Sequence, residues 1–68
     1  MIIGEGTWIG NGAIVIGKVK VGKNCVIGAN TFLNKDVPDY SVVAGVPARI
    51  IKKYEKVKKM WIKTDEKL

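Results

Sequence analysis

Histidine is absent from this 68-residue chain, and cysteine occurs only once. Without histidine the chain cannot build a histidine zinc site, and it has no imidazole to activate a nucleophile. The single Cys25 rules out a disulfide framework, which fits a reducing compartment. We expect Cys25 to be a thiol of the core, because no nearby base would deprotonate it.

Long apolar runs are also missing from the sequence. No stretch approaches the roughly 20 residues that span a bilayer, and no signal peptide is visible. We therefore expect a cytoplasmic protein with no membrane span. The chain forms one small domain at most, and a domain of this size is marginally stable alone.

Charge is unevenly distributed along the chain. The net charge is +6, from 12 basic and 6 acidic residues. Eight of the basic residues and three of the acidic ones lie from Arg49 onward, whereas the preceding part is nearly balanced. The basic tail is either a solvated surface or a site that attracts anions, such as cofactor phosphates, acidic polysaccharide, membrane or nucleic acid.

A six-residue repeat runs from Ile3 to Pro38. The second position of the repeat is glycine in four of six copies, and the fourth is Gly, Asn or Asp in five of six. The first position is always branched and aliphatic: Ile3, Ile9, Val15, Val21, Ile27 and Leu33. The fifth position is always small: Thr7, Ala13, Val19, Cys25, Thr31 and Val37.

A period of six matches neither a helix nor a long strand, but it fits one short strand followed by one tight corner. Positions five and one then face inward, and the fourth position takes the positive φ that suits Gly, Asn or Asp. Asn11-Gly12 would also suit an antiparallel hairpin meander. Strands this short pair poorly as hairpins, which favours a parallel β-helix that stacks on itself.

Three further motifs accompany the six repeats in phase: Trp8-Ile9-Gly10, KDVP at Lys35–Pro38 and VAGVPAR at Val43–Arg49. The resulting resemblance, over residues 3–52, is to the hexapeptide-repeat acyltransferases, in particular the C-terminal part of sugar O-acetyltransferases and xenobiotic acetyltransferases. It implies an all-β fold, a left-handed parallel β-helix with triangular coils of three hexapeptides. Residues one coil apart would then stack: Ile3 on Val21, Ile9 on Ile27, Val15 on Leu33, Thr7 on Cys25, Ala13 on Thr31 and Val19 on Val37.

The repeat ends after Pro38, and we expect the β-helix to occupy residues 1–48. A short strand at Ser41–Ala44 would close the last coil, and Gly45–Ala48 would form a turn. The sequence holds about two full coils and part of a third, with no cap before the first, so an open end exposes unpaired edge groups. We expect the C-terminal part of a longer domain or a chain that relies on assembly.

Residues 49–68 are expected to form a C-terminal extension with an amphipathic basic α-helix. The helix is predicted from Lys53 to Ile62, because Tyr54, Val57 and Trp61 would share one face. It would either cover the open end of the coil or lie on an anionic membrane or partner.

The resemblance implies acetyl-CoA as co-substrate, bound in a groove between neighbouring subunits of a homotrimer. Carried onto this chain, the corners at Asn11 and Ala29 would line that groove, and Asn34 and Lys35 would follow one coil further on. Lys35 could equally form an ordinary surface pair with Asp36. The two asparagines could be corner residues only.

Arg49 and Lys52 would face the CoA phosphates, because Arg and Lys donate well to phosphate oxygens. Trp8 faces outward, and the resemblance places an aromatic there either beside the acceptor and the CoA arm or in a trimer contact. Further outward apolar residues at the repeat spacing suggest a flat face buried by self-association.

The resembling enzymes use a histidine as general base, located upstream of the segment that matches Trp8-Ile9-Gly10. This chain has none, so we expect no catalytic residue in it and no acetyl transfer by the chain alone. The same absence excludes the gamma-type carbonic anhydrases, which need a histidine zinc site.

Three functions fit this sequence. The first is the CoA-binding, trimer-forming C-terminal portion of an acetyltransferase that acts on a hydroxyl or amine of a sugar or small molecule. The second is a non-catalytic β-helical assembly or CoA-binding module. The third is an anion-binding protein that uses the basic helix, although no nucleic-acid motif is present.

Overall fold

The computed structural model describes all 68 residues as strands, turns and connecting segments, without a helix. The nine strands are β1 (Ile2–Ile3), β2 (Trp8–Ile9), β3 (Ile14–Val15), β4 (Lys20–Val21), β5 (Val26–Ile27), β6 (Phe32–Leu33), β7 (Ser41–Ala44), β8 (Arg49–Glu55) and β9 (Met60–Lys67). The structure therefore contains no helix with the length and hydropathy needed to cross a membrane.

The first six strands wind through three parallel sheets in turn. β1 pairs with β4, β2 with β5 and β3 with β6, each in parallel. The predicted stacking is confirmed at the first positions of the repeat: Ile3 on Val21, Ile9 on Ile27 and Val15 on Leu33. Consecutive strands never pair with each other here, which excludes the antiparallel meander for this part of the chain.

The core lies inside these stacked coils. Nine buried apolar residues form one cluster, and six of them occupy the predicted inward positions: Val19, Val21, Cys25, Ile27, Leu33 and Val37. Ile3 and Ile9 of the first coil remain 37% exposed, because no further coil of this chain covers them. Burial thus rises from the first coil to the second.

The corners follow the repeat in four of the six copies. The fourth position has positive φ, as predicted, at Gly6, Gly12, Asn24 and Asn30. At the third corner Gly17 adopts the left-handed conformation (φ 82°) in place of Lys18, since glycine has no Cβ to clash there. Asp36 does not have positive φ; its carboxylate instead accepts the backbone N–H of Lys20 at 2.9 Å.

The second coil is shorter than the first. Ile9 pairs with Ile27, eighteen positions on, but Ile27 pairs with Val43, only sixteen positions on. The predicted stacking of Val19 on Val37 is therefore wrong, since Val37 bridges to Val21. The two missing positions fall between Leu33 and Val37, where the chain cuts one corner.

The predicted C-terminal helix from Lys53 to Ile62 is also wrong. β8 pairs antiparallel with β7, and β9 pairs antiparallel with β8, so the tail is a hairpin that extends the sheet of β2, β5 and β7. The free edge of β7 offers unpaired backbone N–H and C=O groups, and pairing with β8 satisfies these groups on both strands. The strand Ser41–Ala44 and the turn at 45–48 are found as predicted.

The hairpin explains the spacing that suggested a helix. Tyr54 lies directly opposite Trp61 across the two strands, with ring centroids 5.5 Å apart. Val57 lies in the intervening turn and is 88% exposed. Tyr54 and Trp61, which would share a face of the predicted helix, are therefore neighbours across the hairpin, and Val57 is exposed to solvent at its turn. The predicted division at 48/49 falls where the turn passes into β8 and stays a prediction.

Candidate functional site

A shallow depression lies where the end of the coil meets the hairpin. Its volume is about 140 Å³, and it is lined by Asn34, Lys35, Pro47, Ala48, Arg49, Lys67 and Leu68. Three of the predicted cofactor-binding residues therefore converge here, although fourteen positions of sequence separate Lys35 from Arg49.

Backbone hydrogen bonds hold the two sides of this depression together. Asn34 and Lys35 directly follow β6, and Arg49 opens β8. The Phe32 N–H donates to the Gly45 carbonyl at 3.1 Å, and the Ala48 N–H donates to the Phe32 carbonyl at 3.0 Å. These bonds fasten the turn at residues 45–48 against β6, which fixes the position of Arg49 relative to Lys35.

The depression is lined by cations with weak partners. The Arg49 guanidinium donates through Nε to Asp65 Oδ1 at 2.6 Å, with the two side chains 41% and 73% exposed. The Lys35 ammonium donates to the Leu68 backbone oxygen at 3.4 Å. Exposed pairs of this kind contribute about 0–1 kcal/mol, so a multiply charged anion can displace them. The arrangement is therefore suited to receive phosphate.

The other predicted residues lie elsewhere. Asn11 belongs to a different corner, where its carbonyl accepts the Asn30 N–H at 3.0 Å beside Ala29. Lys52 lies within β8, opposite Val42 and Lys63 and outside the depression. The predicted cofactor-binding residues thus lie in three places: Asn34, Lys35 and Arg49 at the depression, Asn11 and Ala29 at a corner of the coil, and Lys52 in the hairpin.

Trp8 occupies the outer side of the first coil. It lies in β2 opposite Val26 and is 63% exposed. Ile14, in the neighbouring sheet, is 55% exposed opposite Phe32. The predicted outward orientation is therefore confirmed at Trp8 and Ile14, whereas Val26 and Phe32, one coil further on, are half-buried.

Sequence reasoning missed the contribution of β9 to the depression. Asp65, Lys67 and Leu68 reach it only because the tail returns as a hairpin. The available signal was the run Met60–Thr64, which contains aromatic and β-branched residues that favour strands.

A second depression, of about 270 Å³, lies on the hairpin itself. It contains the pair Lys53 Nζ–Glu66 Oε1 at 2.9 Å, and the Thr64 hydroxyl donates to Glu66 Oε2 at 2.8 Å. The hydrogen bond from Lys53, followed by that from Thr64, lowers the pKa of Glu66 below its usual 4.5. This depression contains an ion pair that is satisfied internally, and none of the predicted site residues lines it.

The stacked hexapeptides match a known protein family. The model of the family "Bacterial transferase hexapeptide (six repeats)" matches residues 1–35, just over half of the chain. The chain belongs to this hexapeptide transferase family.

Relatives of this hexapeptide transferase chain include several acetyltransferases. It is 40% identical over 63 residues to WbbJ of Escherichia coli K12, a protein whose name provisionally assigns it to lipopolysaccharide biosynthesis as an O-acetyl transferase. It is 51% identical over 47 residues to serine acetyltransferase of Haemophilus influenzae. These matches cover 93% and 69% of the chain but 32% and 18% of the relatives, so the chain spans a third or less of their length.

Solved structures share the fold. A hexapeptide-repeat acetyltransferase of Vibrio cholerae complexed with acetyl-CoA superposes with a TM-score of 0.77 at 34% identity, over 81% of this chain and 30% of that one. A galactoside acetyltransferase in complex with CoA also gives a TM-score of 0.77, at 37% identity, over 98% of this chain and 34% of that one. The second match extends through the C-terminal hairpin.

Proposed function

We propose that this chain provides the CoA-binding coil of an acetyltransferase, which transfers an acetyl group from acetyl-CoA to a hydroxyl or amine of a sugar or small molecule. The observation that carries the proposal is the convergence of Lys35 and Arg49 on one depression at the end of the coil. The likeness to structures complexed with acetyl-CoA and with CoA supports it.

The residues of the depression fit the phosphate end of CoA. That molecule carries a diphosphate and a 3′-phosphate, which the Arg49 guanidinium and the Lys35 ammonium would bind through charge-assisted hydrogen bonds. Pockets that enclose a drug-sized ligand measure roughly 300–1,000 Å³, whereas this depression measures about 140 Å³. It therefore accommodates only part of CoA, and the pantetheine arm would extend along the open surface of the coils.

The remaining predicted residues would serve that arm and the assembly. Asn34 borders the depression beside Lys35 and can donate or accept through its amide. The corner at Asn11 and Ala29 would border the arm. Lys52 would add positive charge at longer range, since it lies outside the depression.

We further propose that the coil is left-handed and that three copies of the chain associate through their outer faces. Trp8 and Ile14 are largely exposed in the single chain. Burying such groups is favourable by roughly 25 cal/mol per Å² of apolar surface. In the trimer Trp8 would lie between subunits, beside the acceptor or the CoA arm.

Acetyl-CoA supplies the activated acyl group as a thioester. The residues of this chain bind and orient the cofactor by its phosphates, but the chain contains no histidine to take the proton from the acceptor. We propose that the chain alone binds CoA without transferring its acetyl group. The same lack of histidine favours, as the second candidate, a CoA-binding or assembly module without catalysis.

Calorimetric titration of the chain with CoA tests the cofactor assignment. We expect saturable binding that Arg49→Ala weakens about tenfold or more, since a hydrogen bond to a charged group contributes about 1.5–3 kcal/mol. Lys35→Ala should act in the same direction. Asp65→Asn removes the carboxylate that competes for Arg49 and should tighten binding severalfold.

The matched control is Lys18→Ala, which removes an exposed lysine at a corner of the coil that does not line the depression. It should leave CoA affinity unchanged. Absence of CoA binding by the folded wild-type chain would refute the proposal. Equal losses in Lys18→Ala and Lys35→Ala would instead indicate a general charge effect.

A further inference from the structure

The turn of the C-terminal hairpin combines exposed lysines with exposed apolar side chains. We define the hairpin tip as residues 56–61, which read Lys-Val-Lys-Lys-Met-Trp. Val57 is 88% exposed, more than any other large hydrophobic residue of the chain. Met60 is 53% exposed and Trp61 41%. Exposed apolar side chains grouped at one loop end are the kind of patch that marks an interaction surface.

The positive charge of the hairpin tip is largely uncompensated. In the structure only Arg49 and Lys53 form salt bridges, both on the strands and away from the turn. Glu55, the one acidic residue beside the tip, accepts the Val57 N–H at 3.1 Å and so stabilises the turn. Glu55 is thus the one carboxylate beside three lysines, Lys56, Lys58 and Lys59, and it forms a salt bridge with none of them.

The base of the tip is held rigidly against the coil. Trp61 packs edge-on against Tyr54, and the Tyr54 ring centroid lies 6.0 Å from that of Tyr40, which belongs to the last corner of the coil. Lys56 Nζ lies 5.5 Å from the centroid of the Tyr40 ring. These contacts join the base of the turn to the coil, which reduces the ordering that binding would require.

We propose that the hairpin tip binds the surface of an anionic phospholipid bilayer. The lysines meet the negative headgroups, while Val57 and Met60 enter the boundary between headgroups and acyl chains, where Trp61 is also favoured. A nucleic acid would also attract the lysines, but exposed Val and Met gain nothing against phosphates. Trp61 is also less available for stacking on bases, because it packs against Tyr54.

The bilayer site is independent of the proposed cofactor site. Six further residues of β8 separate Arg49 from the turn, which is roughly 20 Å at about 3.3 Å per residue. CoA and a membrane can therefore bind at opposite ends of the same hairpin. The tip would place the depression at a defined height above the lipid.

Co-sedimentation with vesicles tests the proposal. The chain should bind phosphatidylcholine vesicles that contain about one quarter phosphatidylserine, bind pure phosphatidylcholine far less, and release as salt is raised. The double variant Lys58→Glu, Lys59→Glu should bind at least about 20-fold more weakly, because each lysine near an anionic surface contributes about fivefold. Val57→Asn keeps every charge of the tip and should also weaken binding, because it removes an apolar side chain from the bilayer contact.

The matched control is Lys18→Glu, Lys20→Glu, which makes the same charge change on the coil. It should retain most of the vesicle binding. Failure of the wild-type chain to bind anionic vesicles at low salt would overturn the proposal, as would equal losses in the two double variants. Tighter binding to duplex DNA than to vesicles, unaffected by Val57→Asn, would assign the lysines to nucleic acid instead. CoA titration of Val57→Asn should match the wild type, so the two proposals can fail separately.

Discussion

The second position of the hexapeptide shows how a single atom limits the stacking of coils. A Cβ added to Gly10 would lie 2.6 Å from the backbone nitrogen of Ala29 and 2.9 Å from its Cα. Gly4 faces Gly22 in the same way, with the carbonyl carbon at 2.6 Å. Because the clashing atoms are backbone, no side-chain rotation can relieve the contact. Glycine at this position therefore reflects the close approach of two backbones.

Gly10→Ala is expected to destabilise the chain by roughly 1–3 kcal/mol, the usual range for overpacking without room to relax. Gly28→Ala is the matched control, since its Cβ would meet the Ala44 side chain at 3.2 Å and backbone only at 3.4 Å. We expect a distinctly smaller loss there. Urea unfolding of the two variants measures the difference. Equal losses would show that the clash with Ala29 does not determine the effect.

At the scale of elements, the repeat predicts the coils well and the tail poorly. Side-chain size predicts which positions face inward and how the first six strands pair. The tolerance of Gly and Asn for positive φ predicts four of the corners. The shortened second coil was not predictable, because the KDVP segment keeps Val37 in phase with the sequence repeat while the backbone omits two positions. The hairpin was missed because Tyr54 and Trp61 satisfy a helical spacing and a cross-strand pair equally.

The candidate site also combines residues that the sequence predicts with residues that it does not. Lys35 and Arg49 were predicted by resemblance, and the structure brings them to one depression. Asp65 and Leu68 complete it through long-range pairing of β8 with β9, which no local pattern encodes. Sequence therefore indicated two cations of the candidate site, Lys35 and Arg49, but missed Lys67 and the groups that pair with the first two.

The hairpin should respond to acid through Glu66. Hydrogen bonds from Lys53 and Thr64 lower its pKa in the folded state. A carboxylate with a lowered pKa stabilises the fold above its unfolded pKa, and this contribution is lost as pH falls through the folded value. The effect is small, because the carboxylate is exposed.

An NMR titration of the Glu66 carboxyl carbon measures this pKa. We expect a midpoint below 4.5, and we expect Lys53→Met to raise it toward the usual value. Amide signals of β9 should shift with the same midpoint, whereas those of β5 should not. A midpoint unaffected by Lys53→Met would show that the ion pair does not persist in solution.

At the scale of the whole molecule, the outer faces predict self-association. Trp8 is 63% exposed and Ile14 55% exposed in the single chain. Sedimentation equilibrium should find trimers for the wild type, and Trp8→Asp should shift the chain toward monomers by placing a charge in the apolar contact. Lys58→Glu, in the hairpin tip, should leave the trimer intact. A folded wild-type monomer would contradict the inter-subunit groove.

The buried thiol makes separation of the coils measurable by chemical labelling. Cys25 is fully buried in the middle coil, and its Sγ lies 3.1 Å from the carbonyl of Pro38 in the third coil. On the other side, its backbone N–H donates to the Thr7 hydroxyl of the first coil. A thiol reagent can reach the sulfur only after neighbouring coils part, so the labelling rate follows this separation without any introduced probe. The labelling rate of Cys25 therefore reports the frequency of local opening between adjacent coils.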